Sequence, residues 1–181
     1  DEIAAAALYL KARIYQVHLT PTDYDTALAH YRQLVDRQPA SHWAQLGLVK
    51  MGLIQLYALP EPAETSVRLR EVEGLLPAIV EPDLKRDLRL QIGWAGLFYE
   101  QPIDEVLPHL MAADEAGGLP GVIPEDLVLQ IAELSMRAGH LEQSRVYFER
   151  FLREHATSLR RYNVQQRLAE LMTRLEAQRG L

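Results

Sequence analysis

A chain of 181 residues has the length of one compact domain or one short repeat array and can bury a sizeable core. Its formal net charge of −6 argues against a nucleic-acid partner, whose phosphates require a basic face, and the absence of cysteine excludes disulfides, thiol chemistry and thiolate metal sites. Almost half the residues are apolar, aromatics are sparse, and Ala, Leu, Arg and Glu dominate, so an all-helical fold is predicted.

The longest charge-free stretches, Gln38 to Val49 and Met51 to Pro60, fall short of the roughly 18 apolar residues a membrane helix needs. No membrane span is expected. From Leu141 onward eight Arg face five Glu, a local +3, which leaves −9 on the first 140 residues. That imbalance would steer a basic partner toward the N-terminal part, or simply solvate it. The chain opens on Asp1-Glu2-Ile3, already inside a helical pattern and without a leader, as a processed or excised piece of a longer protein would. Three Lys against sixteen Arg, and a single Asn, match the residue usage of a GC-rich bacterial genome.

In chain order, Ile3 to His18 reads as a helix with Ala4, Leu8, Ala12 and Tyr15 on one face. Thr22-x-x-Asp25 reads as a capping box for a helix from Tyr24 to Asp36, and Pro39 breaks the pattern. Ser41 caps the next helix, which runs to Leu59 before the loop Pro60-Glu61-Pro62. Thr65 to Val80 follows, weakened at Pro77, with Val67, Val72, Leu75 and Leu76 inward. Helices over Leu84 to Glu100 and Ile103 to Ala116 lead to the strongest breaker in the chain, Gly117-Gly118-Leu119-Pro120-Gly121. Pro124 to Ala138 and Leu141 to His155 form another pair about Gly139-His140, and Leu159 to Gln178 is the last helix.

Spaced small and aromatic residues recur along these helices. Ala27-x3-Tyr31 has Pro39 eight residues on, Trp43-x2-Leu46-Gly47 opens the next unit, and Gly139 precedes Ser144-x3-Phe148. This pattern resembles the tetratricopeptide signature, a 34-residue helix–turn–helix repeat. Ala12, Gly47, Gly93 and Ala132, as equivalent packing points, are separated by 35, 46 and 39 residues, so the repeats are irregular. Lys50 stands where the pattern prefers Tyr, and Ala156 where it prefers Pro. The resemblance implies one domain over residues 1–181: a right-handed superhelix of antiparallel hairpins at about 3–38, 41–80, 83–116 and 124–156, with a capping helix at 159–178. The endings of the second helices, over residues 24–41 and 147–158, are also similar to those of bacterial envelope repeat proteins.

Chemistry-bearing patterns are scarce. His-Glu-x-x-His, the nucleophile elbow and the P-loop are absent. Glu105 and His109 share a helix face, but one carboxylate and one imidazole do not close a coordination sphere. Gly117-Gly118-x-x-Gly121 has the look of a phosphate cradle, yet Glu125 and Asp126 follow it and would repel phosphate. Trp43 reads as core by its repeat position, while Trp94 reads either as buried or as an exposed anchor for a partner.

No enzyme activity and no cofactor or metal is expected. In the tetratricopeptide family the first helices line a concave face that binds extended peptides or a partner's helix. Transferred to the matching positions, that face implies Tyr9, Arg13 and Gln16, then Leu48 and Met51, then Leu129, Glu133, Met136 and Arg137. No Lys and Asn cluster accompanies them, so the carboxylate clamp of chaperone-binding members is not implied. The expected function is a non-enzymatic scaffold binding a protein or peptide partner in a bacterial assembly, periplasmic or in the cell envelope. The alternative is a regulatory or sensor domain of a cytoplasmic multidomain protein.

Overall fold

The structure is a computed structural model in which residues 2–59 and 65–179 are described. Among the described residues it is all-helical: nine α-helices, one π-turn, one 3-10 turn and no strand. No helix of the described residues is long and apolar enough to cross a membrane. The chain divides into two compact units, residues 1–101 and 102–181. The helix pair expected over residues 83–116 is thereby shared between them.

In the first unit, α1 (Glu2–Arg13) continues into a π-turn over Ile14–His18. Its buried face is Ala5, Tyr9 and Ala12, one residue out of step with the expected Ala4 and Leu8, and Ala4 is exposed. Tyr9 decides this register, because its ring packs against Tyr31 and Trp43 at centroid distances of 5.8 and 5.3 Å. The cap of α2 (Tyr24–Arg37) also moves by one: Asp23, not Thr22, accepts from the Thr26 amide at 2.9 Å. A carboxylate at this place serves both the free amides and the helix dipole. Ser41 caps α3 (His42–Tyr57) as expected, its Oγ accepting from Ala44 N at 3.1 Å.

The loop expected at Pro60-Glu61-Pro62 lies outside the described residues. α4 (Thr65–Glu73) ends at Gly74, earlier than Pro77 would dictate, and a 3-10 turn over Leu76–Ala78 follows. Arg68, only 5% exposed, explains how the C-terminal end of α3 is satisfied: its guanidinium donates to the carbonyls of Leu56 and Leu59 at 3.2 and 3.0 Å. Those carbonyls carry the negative end of the helix dipole, so a buried cation is well placed there. α5 (Pro82–Phe98) packs on α3, where Gly52 lets the helices approach. A Cβ at Gly52 would lie 2.7 Å from Leu88 Cδ1.

The second unit holds α6 (Ile103–Ala116), α7 (Ile123–Ala138), α8 (Leu141–Glu154) and α9 (Arg161–Arg179). Gly117, Gly118 and Gly121 all adopt positive φ in the loop after α6, and Gly139 caps α7 at φ 84°. α7 and α8 meet at small residues: Ala132 and Ser144 are both fully buried, and Ser144 Oγ donates to Ala132 O at 2.8 Å. Val164, Leu171 and Leu175 fix the buried stripe of α9. Met172 lies off that stripe and is 37% exposed.

Candidate binding surfaces

In the first unit a polar cluster forms where α1, the π-turn, α2 and α3 meet. Tyr31 is fully buried, and its hydroxyl donates to Gln16 Oε1 at 2.8 Å. Arg13 Nη1 donates to the same oxygen at 2.8 Å. One carboxamide therefore holds both a phenol and a guanidinium, which fixes Arg13 in place. Burial pushes the Tyr31 pKa far above the ordinary tyrosine value and raises that of Tyr9 as well.

Lys50, on α3, is half-buried. Burial pushes its pKa down, and the positive charge of Arg13 adds to the effect. No carboxylate of the described residues pairs with Arg13 or Lys50. Elsewhere several Arg side chains of α8 and α9 pair with acids, such as Arg145 with Glu142 and Glu149, and Arg174 with Glu170. Arg13 lies close enough to both Tyr9 and Lys50 to act on their pKa values.

The second unit carries a cleft of about 570 Å³ between α7 and α9. Leu129 and Glu133 line it from α7, and Arg160, Asn163, Val164, Gln166 and Arg167 line it from α9 and the turn before it. Its walls are tied together by ion pairs. Arg167 grips both oxygens of Glu133 at 3.1 Å each, Arg160 pairs with Asp126, and Ser158 Oγ donates to Glu125 at 2.6 Å. The carboxylates after the glycine-rich loop, Glu125 and Asp126, are thus engaged with Ser158 and Arg160.

The residues expected to line a groove fall into three groups. Tyr9, Leu48, Met51 and Met136 are buried and belong to the cores, at 9%, 3%, 6% and 6% exposure. Arg13 and Gln16 come together in the first unit, and Leu129 and Glu133 in the cleft of the second. Arg137 is exposed on α7. Lys50 and Asn163 were not expected as binding residues. Lys50 is the only charge between Trp43 and Tyr57, which is a readable signal, whereas Asn163 has none beyond being the only Asn.

Trp43 is half-buried against Tyr9. On α5 Trp94 is half-buried, and the exposed aromatic is Phe98, 72% exposed and edge-on to Tyr99. Glu105 is exposed, and no group of three or more His, Asp or Glu among the described residues is disposed to hold a metal ion. No protein-family model matches the chain, and no curated protein matches it significantly.

Proposed function

We propose that the chain is an irregular tetratricopeptide-like scaffold, a superhelical array of helical hairpins closed by α9, that binds an acidic segment of a partner protein without catalysing a reaction. The observation that supports this reading most is the Arg13 and Lys50 pair, two half-buried cations with no acid of the described residues against them. A half-buried lysine near an arginine costs free energy that a bound anion would recover, which favours an acidic ligand there. The half-buried Trp43 packs against Tyr9, whose ring lies near Arg13. The likeness of its second-helix endings to those of bacterial envelope repeat proteins supports an envelope assembly as the setting.

The test is selection of peptides from a random library, followed by titration of the enriched sequences. Asp- and Glu-rich peptides are expected, and replacing Arg13→Gln with Lys50→Gln is expected to weaken them at least about tenfold while the melting temperature holds or rises. Enrichment of neutral or basic peptides, or equal binding by the double variant, would place the site elsewhere.

A further inference from the structure

Gln16 sits in the π-turn that continues α1, a wider helical winding frequent at functional sites. Its Oε1 accepts from the Tyr31 hydroxyl and from Arg13 Nη1, each at 2.8 Å. A guanidinium only donates and a carboxamide oxygen only accepts, so chemistry permits one orientation of this amide, with its oxygen on Tyr31 and Arg13. The reversed amide would set N–H against N–H. Arg13 is half-buried and can move, but the Tyr31 ring is fully buried and holds its hydroxyl at one point. Turning the amide would strand that hydroxyl in the core.

The oxygen is spent on these two donors, so what Gln16 has left to offer is Nε2. No described residue bonds it, and it is not walled off from water. The Arg13 guanidinium adjoins it, and Lys50 lies within reach of the Arg13 charge. All three groups donate and none accepts. A ligand suited to this face therefore brings acceptors only, and a carboxylate does so with two oxygens in one plane. A peptide or side-chain amide brings a donor with every acceptor, and that donor finds no partner here.

On the acidic-ligand reading of this same site, we propose that Gln16 binds the ligand carboxylate through its side-chain N–H groups beside Arg13. Tyr31 is then a positioning residue, which selects acidic over amide ligands by holding the Gln16 oxygen inward.

Nitrogen–proton NMR of the 181-residue chain tests it, in titrations with acetyl-hexaglutamate amide and acetyl-hexaglutamine amide. The Gln16 side-chain amide pair, assigned by its loss in Gln16→Met, is expected to shift as hexaglutamate binds and to stay still with hexaglutamine. Gln16→Met should weaken hexaglutamate at least about fivefold although Arg13 and Lys50 remain. Tyr31→Phe keeps the ring in the core and should lower the preference for hexaglutamate over hexaglutamine at least about threefold. A Gln16 amide that stays still while hexaglutamate binds, and while Arg13→Gln weakens that binding, overturns the donor role and leaves the acidic site standing. A preference unchanged by a folded Tyr31→Phe overturns the positioning role. Hexaglutamate that does not bind at all overturns the acidic-ligand reading and this proposal with it.

Discussion

Gln45 shows how much one buried polar side chain can hold. It is 1% exposed, and its amide donates to Pro39 O and Ala78 O at 2.9 and 3.1 Å while its carbonyl accepts from Val80 N at 2.7 Å. Both amide donors and the carbonyl oxygen are engaged, so it joins the α2–α3 turn to the segment before α5. Gln45→Leu is expected to cost about 2–4 kcal/mol in chemical denaturation, because it strands buried backbone groups and gains only apolar area. The glycines of α3 make a graded pair. A Cβ at Gly47 would sit 3.3 Å from Tyr31 Cδ1, against 2.7 Å from Leu88 at Gly52, and Leu88 is fully buried. Gly47→Ala should therefore be close to neutral, the helix-propensity gain of about 1 kcal/mol offsetting a slight push, while Gly52→Ala should destabilise by about 1–2 kcal/mol. Gly47→Leu, with more to place, should cost about 1–3 kcal/mol. Thermal melts that rank Gly52→Ala as the milder alanine change would show that Leu88 can move away.

For the helices, what the sequence shows depends on how sharply each is punctuated. α6 is readable to the residue because Pro102 precedes it and Gly117-Gly118 follows it. α4 is not: its end falls at Gly74, where the amide still bonds Arg70 O at 3.0 Å and the next turn tightens, so Pro77 misleads as the nearest obvious breaker. The face of α1 is ambiguous in sequence because its alanines satisfy several periodicities equally, and only the contact of Tyr9 with Tyr31 and Trp43 selects one. The candidate cluster of the first unit was half legible. Arg13 and Gln16 come from the resemblance to the repeat pattern, but the surroundings of Lys50 depend on which carboxylates come near, and spacing along one helix does not contain that. Helix caps give the test at this scale. Ser41→Ala and Asp23→Ala should each cost about 1 kcal/mol, measured by urea denaturation, and Thr22→Ala should cost far less.

Over the whole molecule, tyrosine burial links the fold to alkaline pH. Tyr147 is pushed up to about 12, first by burial and then by the nearby charge of Asp114, and the pKa values of Tyr9, Tyr31 and Tyr57 are raised as well. A raised tyrosine stays neutral in the folded state, so its stabilising contribution is complete below the unfolded value of about 10 and is lost as pH rises from there toward 12. Tyrosinate absorbance should therefore rise in two stages, the later one coinciding with loss of helical circular dichroism. A single stage near pH 10 with helicity intact would contradict the burial of these rings. Each compact unit has its own core, that of the second built on Ala132, Phe148, Phe151 and Leu171. A fragment of residues 102–181 should accordingly remain helical and melt cooperatively, and a non-cooperative melt would show that its core is insufficient alone.

The Gln45 bond to Val80 has one more consequence, in hydrogen exchange. Val80 lies outside any helix, and its side chain is 71% exposed, so it has the marks of a residue whose amide trades its proton with solvent in moments. Its N–H, however, ends on a carboxamide oxygen held inside the first unit. That proton can leave only when Gln45 lets go, and Gln45 lets go only when the α2–α3 turn opens. The Val80 amide should therefore exchange as slowly as those in the middle of α3, marking a loop residue whose clock is set by the opening of the core.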